Sequence, residues 1–282
     1  MVELAENQYG KSRVRLMKLT RHAHGRDLRE WTVQVLLRGD FESAHLEGDN
    51  SKILPTDTMK NTVYSIARSS KATSMEAYAK ELIDFLLGRN SQVTSASVRV
   101  ESTMWKRLTV DGKPHDTAFM RGSDERQTTS VERAQDGTYK IVSGLDNLVI
   151  LKTAKSGFEG YIKDSLTTLP ETKDRLFGTA LTAEWTYGTD DFDYDAVRAS
   201  LRETMLHTFA EHDSKSVQQT LYAMAEQALS AVPQVTEIEM TMPNKHCLLV
   251  DLSQFGQDNP NEIFVPTDEP HGYIQARVVR KS

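Results

Sequence analysis

The order of apolar and polar residues divides this chain into two stretches with the same succession of elements. Residues 14–19 and 31–37 alternate like half-buried strands, and the polar, glycine-containing stretch 22–27 between them predicts a hairpin. A helical period opens at Pro55-Thr56-Asp57, with apolar residues at Met59, Val63 and Ile66. It breaks near 69–74 and resumes over 75–87, up to Gly88. Alternation returns over 93–105, Gly112-Lys113-Pro114 marks a turn, and 117–120 and 128–133 extend the sheet. The second half follows the same plan: strands over 148–151 and 180–187, helices over 194–209 and 216–231, and closing strands over 237–242, 246–252 and 273–279.

The likeness between halves reaches individual residues. Thr62-Val63-Tyr64-Ser65-Ile66-Ala67 has a counterpart in Thr220-Leu221-Tyr222-Ala223-Met224-Ala225, an offset of 158 residues from 62 to 220. Val93-Thr94-Ser95-Ala96 matches Val235-Thr236-Glu237-Ile238 at an offset of 142, from 93 to 235, so the first copy carries about 16 more residues between its motif helix and the next strand. We therefore expect two tandem α+β modules, residues 1–142 and 143–282, each an antiparallel sheet with helices on one face. Such sheets keep open edges, which are usually paired or covered. The modules are accordingly expected to join edge to edge, and the subunits to close a barrel.

Composition narrows the partners. A formal charge of −6, a pI near 5.8 and aromatics not interleaved with Lys or Arg argue against nucleic acid. Cys247 is the single cysteine, which excludes an intrachain disulfide and a cysteine-rich metal cluster and suits a reducing compartment. No apolar run approaches the roughly 18 residues of a membrane span. The opening Met1-Val2-Glu3-Leu4-Ala5-Glu6 lacks the regions of a signal peptide, and the closing Arg280-Lys281-Ser282 is not a peroxisomal tail, so a cytoplasmic protein is expected.

Candidate chemistry is ambiguous residue by residue. Thr56 and Asp57 are placed to cap a helix, although a helix start also suits an anionic ligand. Ser216-Val217-Gln218-Gln219 reads as a capping box in which Ser216 and Gln219 satisfy the helix end, leaving Gln218 with a donor and an acceptor unassigned. Pro243-Asn244-Lys245-His246 interrupts two strand-like runs, so Asn244 reads as a turn residue and His246 as a strand-end histidine with a local bond. Lys11 resembles any exposed lysine, Arg175 a solvated or acid-paired arginine, and Phe158 a loop anchor. The histidine spacings suit no metal: His22 and His24 fall at a hairpin tip, and His207 and His212 would diverge on a helix. Dinucleotide, phosphate-loop and nucleophile-elbow motifs are absent, so redox chemistry would need no recognisable cofactor site.

Taken together, Tyr9-Gly10-Lys11, Thr56 through Tyr64, Asp111-Gly112-Lys113-Pro114-His115, Ser156-Gly157-Phe158, Asp174-Arg175, Ser216 through Thr220 and Pro243-Asn244-Lys245-His246 resemble the urate oxidase (uricase) family, in family order over essentially the whole chain. The resemblance implies two tandem tunnelling-fold (T-fold) modules per chain and a homotetramer built around a barrel, with active sites at subunit interfaces. It implies oxidation of urate by O2 to 5-hydroxyisourate and hydrogen peroxide, with no cofactor and O2 as co-substrate. Phe158 would stack on the purine, Arg175 would pair with its anionic edge, and Gln218 with the Val217 backbone would hold the remaining polar edge. Thr56 and Asp57 would come from the neighbouring subunit; Lys11, Thr56 and His246 would form a proton relay, and Asn244 would hold oxygen above the ring. Two alternatives remain open: another purine- or pterin-handling T-fold enzyme, such as a zinc-dependent GTP cyclohydrolase relative, and a purine-binding protein without turnover.

Overall fold

A computed structural model describes residues 2–190 and 192–281. The chain divides into two compact units, one running to Gly144 and including Asp193–Asp195, the other comprising Leu145–Phe192 and the chain from Ala196. No helix among the described residues is long and apolar enough to cross a membrane.

The first unit is built on strands β1 (Tyr9–His22), β2 (Gly25–Gly39), β3 (Val93–Val110) and β4 (Lys113–Ala134), hydrogen-bonded in that order and antiparallel throughout. Between β2 and β3 lie a short helix α1 (Glu42–Leu46) and two longer ones, α2 (Thr56–Ser69) and α3 (Met75–Arg89). Every second residue of β2 from Trp31 to Leu37 is buried, which fixes one face of the sheet against the helices. Helix α3 supplies Met75, Tyr78, Ala79, Leu82, Ile83 and Leu86, the i, i+3, i+4 stripe of a helix facing a core. The break between the helices is chemical: the backbone leaves helical conformation at Ser70, and the Ser74 hydroxyl accepts from Ala77 N at 3.1 Å to start α3. The two helices are then tied by Tyr78, whose buried hydroxyl donates to Val63 O at 2.9 Å and whose ring lies 5.0 Å from that of Trp31.

The second unit repeats the plan. The chain enters it within β5 (Lys140–Lys152) and continues through β6 (Phe177–Tyr187), α4 (Tyr194–Glu211), α5 (Val217–Ala231), β7 (Val235–Thr241), β8 (Asn244–Leu249), β9 (Phe264–Gly272) and β10 (Gln275–Val279). Leu201, Met205 and Phe209 of α4 and Leu221, Met224, Ala225 and Ala228 of α5 pack with Leu181, Ala183, Trp185, Ile238 and Met240 of the sheet. The observed class is thus antiparallel α+β in two tandem modules.

Several boundaries differ from the sequence reading. The hairpin closes at His22 and Gly25 rather than across 22–27, because the ladder pairs backbone and tolerates polar side chains. The pieces 117–120 and 128–133 belong to one strand, β4, whose ladder with β3 shifts register between Thr103 and Trp105 and between Arg107 and Thr109. These bulges disturb the alternation that the reading relied on. The expected capping by Thr56 or Asp57 is absent: Pro55 holds the N-cap position of α2 and no side chain caps it. At α5 half of the expected pair forms: the Ser216 hydroxyl accepts from Gln219 N at 3.1 Å, while Gln219 Oε1 accepts at 2.9 Å from Lys215 N, one residue before the cap, rather than from Ser216 N.

The turn expected at Asn244 is also corrected. Thr182 pairs with Thr241 and Thr179 with Asn244, so β8 continues β7 along β6 in unbroken register across Met242 and Pro243. Proline removes one donor from the ladder without diverting the chain. Asn244 and His246, two apart on β8, therefore sit in the sheet rather than in a loop.

Removing the Tyr78 hydroxyl tests the tie between α2 and α3. Tyr78→Phe is expected to lower stability by about 0.5–1.5 kcal/mol, seen as a lower denaturant midpoint at unchanged slope. An unchanged midpoint would show that the bond contributes nothing net.

Candidate active site

The sequence-predicted residues fall into two groups, one in each unit. In the first unit Lys11 lies on β1 opposite Val35, directly before a register shift that ends at Val14, with Arg13 at a φ of 58°. Bulges of this kind re-aim neighbouring side chains. The residue before it admits no side chain, since a Cβ on Gly10 would lie 1.8 Å from Val35 O. Tyr9 joins this strand to the start of α2: its hydroxyl donates to Leu54 O at 3.1 Å and accepts from Leu54 N at 2.8 Å, two residues before Thr56. Thr56 is half-buried at the first helical position and Asp57 is exposed. The hydrogen bond and charge of Lys60, with a smaller contribution from the charge of Lys11, hold the Asp57 carboxyl below its ordinary pKa.

In the second unit a short segment organises the rest. Ser156-Gly157-Phe158 is hydrogen-bonded on both sides: Gly157 N donates to Ser214 O at 2.8 Å, Arg175 N to Ser156 O at 2.9 Å, and Phe158 and Thr172 exchange bonds of 2.7 and 3.1 Å. One segment thereby sets the position of Phe158, of Arg175 and of the chain leading into α5. The Arg175 guanidinium carbon lies 5.2 Å from the Phe158 ring centroid.

Phe158, Arg175, Asn244 and His246 line one cavity of about 170 Å³, together with Leu169, Pro170, Thr172, Leu176, Lys245, Cys247 and Leu248. Among the described residues, no acid and no side-chain hydrogen bond occupies the polar groups of these four. Arg175 Nε is buried with no partner among the described residues, and burial pulls the guanidinium below its ordinary pKa. The expected solvated or acid-paired arginine is therefore not what the fold contains. No side-chain hydrogen bond engages the Asn244 amide or the His246 imidazole among the described residues, although the His246 carbonyl accepts from Thr267 Oγ1 at 3.2 Å. Lys245 between them is occupied, donating to Asp268 at 2.7 Å. A buried donor left unmade costs about 1–3 kcal/mol, so a cavity with this lining favours a ligand rich in acceptors.

Val217 and Gln218 stand apart from the cavity lining. Val217 is the first residue of α5 with its side chain buried, and Gln218 is exposed. Their connection to the cavity runs through backbone: Ser214 N donates to Lys155 O at 2.9 Å and Ser214 O accepts from Gly157. Free N–H groups at a helix start suit an anionic or carbonyl-rich edge.

Sequence reasoning missed two tyrosines. Tyr9 carries no recognisable pattern beyond its place before Gly10-Lys11. Tyr161 stacks on Phe158 with centroids 4.8 Å apart and planes 14° from parallel, yet does not line the cavity, and its hydroxyl donates to Leu169 O. Among the described residues no group of three or more His, Cys, Asp or Glu side chains is arranged to hold a metal ion.

An aromatic face, a guanidinium, an amide and an imidazole together can receive a flat anion and exchange a proton with it. The model of the uricase family matches residues 7–132 and 141–275. The uricase of Arthrobacter globiformis is 42% identical over 280 residues, covering 99% of this chain and 91% of that protein. The uricase of Dictyostelium discoideum is 39% identical over 283 residues, covering 99% and 98%, and that of Oryctolagus cuniculus 38% identical over 286 residues, covering 99% and 95%. The crystal structure of the Arthrobacter globiformis uricase superposes with a TM-score of 0.93 at 41% identity, covering 100% of this chain and 96% of that one. With the match running through both units and nearly the whole length of each relative, the chain belongs to the uricase family.

Proposed function

We propose that this chain oxidises urate with O2 and water to 5-hydroxyisourate and hydrogen peroxide, using no resident cofactor. Family membership makes it an oxidoreductase acting on urate. At the level of residues, the observation that carries the reading is the convergence of Phe158, Arg175, Asn244 and His246 on one cavity, with polar groups that have no side-chain partner among the described residues. Urate is a planar anion edged with N–H and C=O groups, and each of these side chains complements one part of it. Phe158 stacks on the ring, Arg175 pairs with the anionic edge, and Gln218 with the Val217 N–H takes the remaining polar edge.

Lys11, Thr56 and Asp57 of a neighbouring subunit complete the site in a homotetramer whose sheets close a barrel. Asp57 contacts the substrate; Lys11, Thr56 and His246 move its proton; Asn244 holds O2 above the ring. Deprotonated urate supplies two electrons to O2, which leaves as hydrogen peroxide with two protons, and the oxygen of water adds at C5. Protein groups contribute position, proton transfer and fixed charge, while substrate and O2 carry the redox change. The protein works in the cytoplasm, in keeping with the free thiol of Cys247. The relatives reported above give the zinc-dependent and non-catalytic alternatives no support.

Metal-stripped protein in air-saturated buffer should bleach the near-ultraviolet band of urate with matching oxygen uptake. Binding without either signal would sink the proposed activity. Lys11→Met should lower kcat by roughly two or more orders of magnitude while a non-oxidisable purine anion still binds. Arg175→Ala should chiefly raise KM. Mixed and reassembled, these two variants should show, at urate well below the raised KM, more activity than either alone, because some sites then receive Lys11 from one chain and Arg175 from another. Failure to recover any activity would argue against a site shared between subunits.

A further inference from the structure

We propose that Tyr161 is a positioning residue that fixes the plane of the Phe158 ring and the Leu169–Pro170 part of the cavity wall together, and so sets the enzyme's affinity for flat rings. The inference rests on the stacking role of Phe158 proposed above.

Phe158 has two faces, and its use as a platform requires one to stay free while the other is supported. Tyr161 provides the support, at 4.8 Å between centroids and 14° between planes, and it is absent from the residues lining the cavity. A near-parallel stack restrains ring tilt in a way that aliphatic contacts do not. Its hydroxyl reaches across the loop to Leu169 O, and Leu169 and Pro170 form part of the cavity wall. One side chain therefore holds the back of the platform with its ring and the wall with its hydroxyl.

The loop joining these points is closed at its base and braced within. Phe158 and Thr172 pair at the base, Gly160 N donates to a Glu171 carboxylate oxygen at 3.0 Å, and Lys163 lies 3.2 Å from the same oxygen. These bonds keep the loop closed without Tyr161. Replacing the tyrosine should thus free the ring and the wall rather than unfold the segment.

Tyr161→Leu removes ring and hydroxyl, and Tyr161→Phe keeps the ring alone. For Tyr161→Leu we expect KM for urate, and Kd for a non-oxidisable purine anion, to rise about three- to tenfold, the range that loss of one aromatic pair allows. The kcat should stay within about twofold, and Tyr161→Phe should recover most of the lost affinity. A purely structural role would instead lower the melting temperature and the active fraction at unchanged KM. That result, unchanged affinity in Tyr161→Leu, or equal defects in both variants would overturn the proposal. Should Tyr161→Leu fail to fold, Tyr161→Gln takes its place under the same criteria. If wild-type protein binds the purine anion but never oxidises urate, the activity assignment fails while the affinity comparison still decides the role of Tyr161.

Discussion

The second unit's site depends on the hydrogen bonds that hold Ser156-Gly157-Phe158 in place. This segment belongs to no long strand, yet Ser214, Thr172 and Arg175 are all bonded to it. Because the links are backbone to backbone, they fix positions of main chain and leave the side chains free for other work. Phe158, Arg175 and the approach to α5 thus share one frame, and moving any of them strains the others. Gly157 belongs to the same constraint, since a Cβ there would press to 3.1 Å from Thr172 O and 3.3 Å from Lys173 O.

The first unit solves the analogous problem differently. There the frame is a strand pressed so closely on β2 that Gly10 tolerates no side chain, followed at once by a bulge. Tyr9 ties this strand to the lead-in of α2 through both polar groups of Leu54. Lys11 and the α2 start are consequently held by local geometry. The repeat that is visible in the sequence concerns helices and strands; the devices that place functional groups differ between the copies.

Much of the fold was legible because its elements bury one face. The stripe on α3 and the alternation of Trp31, Val33, Val35 and Leu37 follow directly from what must point inward. Reading failed where burial gives no signal. Strand β9 contains Pro266 and Pro270 and is largely exposed, so neither alternation nor propensity marks it. Asn244 looked like a turn residue because Pro243 precedes it, but Asn244 pairs with β6 in the register that β7 holds before the proline. Thr56 looked like a cap because it opens a helical period, whereas the preceding proline already turns the chain into the helix. The site residues showed the same limit. Each had an ordinary reading by itself, and only their joint order along the chain singled them out. Tyr161 had no such order to reveal it, since its role depends on a ring stacked across a loop.

The buried Nε of Arg175 has a further effect on the protein itself. A donor with no acceptor among the described residues regains water when the chain unfolds, so the ligand-free native state is penalised at this point and the unfolded state is not. Any molecule that accepts from it binds only the native form and withdraws that form from the unfolding equilibrium. With urate in the role proposed for it at Arg175, how long the protein persists in a cell is linked to how much substrate surrounds it: abundant ligand protects the enzyme that consumes it, and depletion exposes the same enzyme to turnover.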